Sequence, residues 1–284
     1  MMRLFGPLLV VLLWAAGAGS PAVVTDADLE LENRIPRRLP GAASGSQFAR
    51  RVRSLDGGAR DRAVLAELRR GNLPDFLREL KPVRLWGKDR EGRLHHGIVW
   101  VTPDYLAVGS DEDFVRVPMG LDAAASLAQS FGFTLPTEKI VDAIYEQSSL
   151  RLTPQPMAPG PRMRSTDYFF RHHLAIERQR SERAAGELVS GHKKDLVLTN
   201  RLLTRRGKVA IYGWHQRDGL PLQPVSTVHG RRYSDYSHGV RLVAATMRLD
   251  SEPRSVVDVL RDPDLAPVLS DEGPIRDAAR LLRR

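Results

Sequence analysis

The chain contains no cysteine. That excludes disulfides, attachment of lipid at a lipobox cysteine, and every cysteine nucleophile, including those of papain-like and caspase-like peptidases. No G-x-S-x-G elbow is present, which argues against an α/β-hydrolase. No internal repeat appears either. Long hydrophobic runs are also missing. The most apolar stretch, LFGPLLVVLLWAAGA after Met1-Met2-Arg3, has about 15 residues, whereas a membrane-spanning helix needs about 20. Negative charge is the scarcer sign: Asp and Glu number 34 against 43 Lys and Arg, a net charge of +9.

The apolar run follows a basic start and ends in Ala16-Gly17-Ala18, so residues 1–18 read as a signal peptide, an uncleaved anchor being the alternative. Export to the periplasm or the medium is expected, with no stable membrane span after cleavage. Nucleic acid is then a poor partner for the basic excess. An anionic wall polymer, an acidic polysaccharide or another extracellular glycan suits it better. Residues 19–46 are rich in Pro, Gly, Ala and Ser and read as a flexible linker. Residues 47–274 are expected to form one domain, and 275–284 a basic tail.

Within that domain, apolar spacing predicts two short helices between Gln47 and Arg70, broken at Gly57-Gly58. Short runs punctuated by KDREG and TP then read as hairpins. LDAAASLAQSFG is a helix with Asp122 as N-cap and Gly132 as C-cap, and Thr137 and Ser165 or Asp167 cap two more. The second half is strand-rich. Helices and strands are segregated rather than alternating, so the expected fold is α+β, a mostly antiparallel sheet with three to four packed helices.

The chemistry concentrates in STVHGRRYSDYSHGVRLV, residues 226–243. Strand alternation puts His215 at the end of one apolar face and His238 at the start of another. If the two strands are antiparallel neighbours, both histidines meet at one sheet edge, and the loop brings His229 and Asp235 to them. His215, His229, Asp235 and His238 are therefore candidate ligands for a metal, Zn²⁺ by donor type. His229, Asp235 and His238 are the candidate catalytic core, with or without metal. Tyr236, Arg241, Trp214, Lys193 and Lys194 are candidates for contact with substrate, and the acidic run Asp111-Glu112-Asp113 for the approach. His173 and Glu177 share a helix face, as a base and its orienter can.

STVHGRRYSD resembles the S-x-H-x-x-G-x-A-x-D string of D-Ala-D-Ala and lysostaphin-like peptidases. Here the serine stands three residues before His229, the glycine directly follows it, and Asp235 comes six residues on, so no ligand is carried over. VTPDYLAVGSDEDFVRVPM, LPTEKIVDAIY, KKDLVLTNRL and VAIYGWH with DYSHGVRLV together resemble a recurrent group of exported bacterial proteins of uncharacterised function, over residues 83–274. The resemblance implies a bacterial, exported, single-domain protein and assigns no residue roles.

Two functions fit. One is an exported hydrolase acting on an extracellular polymer, peptidoglycan or an anionic polysaccharide. The other is a non-catalytic module binding cell wall or glycan, with Tyr212, Trp214 and Tyr236 offering stacking to sugars. The first requires the histidines to converge, and the second requires exposed rings.

Overall fold

The computed structural model describes residues 34–55, 57–181 and 186–281. The expected signal peptide and the first part of the linker, to residue 33, lie outside the described residues. The chain runs α1 (Gly45–Arg51), α2 (Gly57–Arg69), β1 (Lys81–Lys88), β2 (Leu94–Val101), β3 (Ala107–Gly109), β4 (Phe114–Arg116), α3 (Leu121–Phe131) and β5 (Phe133–Thr134). Next come α4 (Glu138–Gln147), β6 (Leu150–Arg151), α5 (Thr166–Arg180), β7 (Val189–Ser190), β8 (Lys194–Leu196), α6 (Arg201–Thr204), β9 (Ile211–His215) and β10 (Pro221–Ser226). β11 (His238–Gly239), β12 (Val243–Ala244), β13 (Thr246–Leu249), β14 (Glu252–Ser255), α7 (Val256–Arg261) and α8 (Ala278–Leu281) complete it.

This is an α+β fold, with pairing antiparallel except at β6–β7 and β8–β11. The larger sheet has the order β14-β13-β2-β12-β5, with β1 also paired to β2. The β1–β2 hairpin runs in unbroken register from Lys81–Val101 to Lys88–Leu94. β1 buries Val83, Leu85 and Gly87 and exposes the residues between them, the alternation of a sheet with one face on the core. The smaller sheet, β10-β9-β8-β11, carries the polar residues.

Helix signals hold with one change. Ser44 and Gln47 form a capping box on α1, Thr137 caps α4 through the Ile140 amide, and Ser165 rather than Asp167 caps α5. α3 ends at Gly132 as expected, with φ +82. Its N-cap is Gly120, not Asp122, whose carboxylate is instead paired with Arg231. Two expected boundaries also move. Ile35 is 2% exposed in the main core and Gly45 is buried at the start of α1, so the segment between them is anchored at both ends, although residues 39–41 are exposed. At the other end Ile275, Ala278 and Leu281 are buried, and the Ile275 amide donates to the Leu260 carbonyl at 2.7 Å. Apolar side chains in both segments find the same core, and that outweighs their basic flanks. Among the described residues no helix is long and apolar enough to cross a membrane.

Candidate functional site

The segment 238–249, which begins at His238, forms three strands in two sheets. Its first piece, β11, pairs in parallel with β8, setting His238 opposite Lys194 and Gly239 opposite Asp195. β8 in turn pairs antiparallel with β9, Lys194 opposite Gly213. The two histidine-bearing strands are therefore not neighbours, because β8 lies between them. Side chains of facing residues share a sheet face, so Lys194 and His238 lie side by side.

The loop before β11 folds onto that row. The His229 carbonyl accepts from the Val209 amide at 3.1 Å, anchoring the start of the loop to the chain that leads into β9. The Tyr233 ring stacks on His229 with centroids 3.9 Å apart and planes 7° from parallel, and meets His238 edge-on at 5.7 Å. Asp235 is buried. Its Oδ1 accepts from the Ser237 amide at 2.8 Å and the Ser237 hydroxyl at 2.6 Å, while Oδ2 accepts from the Tyr233 hydroxyl at 3.1 Å. His238 Nε2 lies 3.8 Å from Asp235 Oδ2. One candidate donor atom from each of His229, Asp235 and His238 lies within 4.8 Å of the others. The sequence reading put these three together, and the structure does the same.

His238 is 0% exposed, and neither ring nitrogen has a hydrogen-bond partner. A neutral imidazole carries one N–H and one lone pair, and leaving such groups buried and unpaired costs about 1–3 kcal/mol each. Burial pushes this imidazole down to about 4, against the pull of Asp235. Burial also lowers His229. Desolvation works to raise Asp235, but the His238 charge and the two Ser237 donors outweigh it and hold the carboxyl below its ordinary value. Near pH 7 the cluster is two neutral imidazoles and a carboxylate, the protonation state a divalent cation requires. Donor types, burial and the orphaned nitrogens fit such an ion. Ser237 and Tyr233 hold the Asp235 carboxylate in place, as the outer hydrogen bonds of a metal ligand would.

His215 is not part of this group. Gly213 and Trp214 have φ of +105 and +59, and two left-handed residues in succession break the alternation on which the sequence argument relied. His215 lies instead 2.9 Å from Asp142 Oδ1, stacked at 4.5 Å on Tyr145. It lines a separate cavity of about 420 Å³ with Arg151 and Arg217.

Most expected substrate contacts are also internal. Arg241, 1% exposed, donates to the Thr102 and Val189 carbonyls and covers the Tyr105 ring at 4.4 Å. Tyr236 is buried with its hydroxyl bonded to the Met157 backbone. Trp214 and Tyr212 are buried, the latter donating to Asp142 at 2.8 Å. Lys193 is 1% exposed, donating to the Tyr236 carbonyl and lying 3.0 Å from His172 Nδ1, and burial pulls its amine down to about 7. Lys194 alone of that set is half-buried and faces the cluster. The acidic run does not line the site: Asp113 accepts from Ser46 at the start of α1, and Asp111 from the Phe76 amide.

Sequence reasoning missed a buried charge network behind β8. Arg116 binds Asp104 through two nitrogens, Glu177 at 2.6 Å and His173 at 3.2 Å, and His192 donates to Asp104 at 3.1 Å. The His173–Glu177 pair on one helix face was its one legible sign. Tyr105 donates to Asp195 at 2.7 Å, and burial raises that carboxyl to about 6. Compared with protein-family models, curated proteins and solved structures, the chain matches none.

Proposed function

We propose that His229, Asp235 and His238 hold a divalent cation, zinc by donor type, and that the protein is an exported, metal-dependent hydrolase. Its substrate on this reading is an extracellular polymer, peptidoglycan or an anionic polysaccharide, met in the periplasm or outside the cell. The observation that carries the reading is His238: a fully buried imidazole with both nitrogens unpartnered, beside a carboxylate and a second histidine. His229, Asp235 and His238 would hold the ion, which would supply Lewis-acid activation of water near neutral pH. His229 and Tyr233 are half-buried, which leaves the cluster an approach from their side. The glycan-binding alternative called for exposed Tyr212 and Trp214 rings, and both are buried.

The test is metal analysis of the purified protein beside two variants. One zinc per chain is expected, retained in His215→Ala and lost in a folded His238→Ala. Equal zinc in His238→Ala, or no metal uptake by the unaltered protein from a zinc-containing buffer, would sink the reading.

A further inference from the structure

We propose that Lys194 is the anion-holding residue of the His229–Asp235–His238 site, and that the ligand taken there carries a carboxylate or phosphate oxyanion. This rests on the metal reading above and narrows its substrate class. Lys194 and His238 are facing partners in the β8–β11 pair, so their side chains leave the sheet on the same face. The third member of the row, on β9, is Gly213, which adds no side chain. The Lys194 ammonium lies 4.8 Å from the Trp214 ring centroid, a cation–π contact that fixes its position. Among the described residues that ammonium makes no hydrogen bond and no ion pair, although the Asp235 charge reaches it. Lys193 differs: its amine already has two partners, the Tyr236 carbonyl and His172 Nδ1.

The surroundings have the same sign. Lys208 reaches the Val228 carbonyl, one residue before His229, at 2.8 Å. Arg164 covers the Tyr233 ring, which itself stacks on His229, at 5.4 Å. The three donors contribute one negative charge, so with a divalent ion bound the centre is positive and ringed by cations. Such a field concentrates anions. An ammonium with free N–H groups beside it completes a charge-assisted hold on an oxyanion.

Calorimetry and visible spectroscopy on the full chain test this. The probes are inorganic phosphate, acetate and neutral N-acetylglucosamine, titrated into cobalt-loaded and metal-free protein. Phosphate or acetate is expected to bind the cobalt form and shift its visible bands. Lys194→Met should weaken that binding about tenfold or more with cobalt uptake unchanged, and Lys194→Arg should restore most of it. Preference for phosphate or for acetate tells which oxyanion the site takes. Equal anion affinity in the unaltered protein and Lys194→Met overturns the proposal, as does a sugar bound as tightly as either anion. If the unaltered chain takes up no cobalt, the metal reading fails on its own. The metal-free titrations then decide the lysine: anion binding lost in Lys194→Met supports it, and no binding or equal binding overturns it. Should Lys194→Met fail to fold, Lys194→Gln replaces it in the comparison with Lys194→Arg.

Discussion

At the scale of single residues, the unusual feature is how much ionisable chemistry is held away from water. His172, His173, His192, Lys193, Asp104, Asp195, Arg116 and Arg241 are all buried. Sequence alone gave little sign of this, because a lysine or arginine reads as surface until its partners are known. Lys193 in SGHKKDL looks like loop charge, and only the three-dimensional neighbours make it internal. The burial has a consequence for acid stability. Burial lowers His192 from 6.5 to about 4, and lowers His172 and His173 in the same direction. The unfolded chain therefore takes up protons that the folded one refuses as pH falls from about 6.5 to 4, and stability drops through that window. Asp195 opposes this, since its raised value of about 6 lets the folded state bind a proton first. The unfolding midpoint should fall between pH 7 and 4. In His192→Asn the acid slope should weaken by about one proton, or about 1.4 kcal/mol per pH unit. An unchanged slope, measured by denaturant titration across that range, would refute the assignment.

At the scale of elements, period and punctuation made the helices legible. Thr137, Ser165 and Gly132 were readable because capping depends on a few local hydrogen bonds or one left-handed residue. The strands were harder. Alternation predicts shared faces only while a strand stays regular, and β9 does not at Gly213-Trp214. Nor does sequence order give neighbours: β8 comes between β9 and β11, a non-local choice invisible to spacing. The convergence of His229, Asp235 and His238 was nevertheless found, because all three lie within ten residues, on the loop and at the first residue of β11. That loop depends on β11 seating closely. A Cβ on Gly239 would lie 2.4 Å from the Tyr105 ring, whose hydroxyl is tied to Asp195. Gly239→Ala should cost about 1–3 kcal/mol through forced displacement of that ring. It should also weaken metal uptake more than an alanine at the open Gly92 turn, where nothing lies within 4 Å but φ is +82. Equal metal affinity in the two variants would show that β11 does not set the cluster.

At the scale of the whole molecule, one apolar cluster takes residues from Ile35 through Leu281, joining the two main sheets and most helices. Composition was enough to expect a single sizeable core, but the sequence reading left both ends outside it. Their apolar residues, Ile35 and Ile275, are isolated among Pro, Gly, Arg and Asp, so no periodicity marks them. Ile275→Ala should lower stability by about 2–5 kcal/mol, the range for emptying a fully buried site. A loss under half a kilocalorie in chemical denaturation would return residues 275–281 to the status of a tail. The loop itself carries a last consequence. All three donors lie between positions 229 and 238, so an unfolded chain already holds a rudimentary chelator. On the proposed metal reading, an ion would bind both ends of the folding equilibrium, and only the difference in affinity would stabilise the fold. The rise in melting temperature with free zinc should accordingly fall short of what the native affinity implies. The shortfall measures how much of the ion's grip comes from ten residues of chain, and how much from the sheet that frames them.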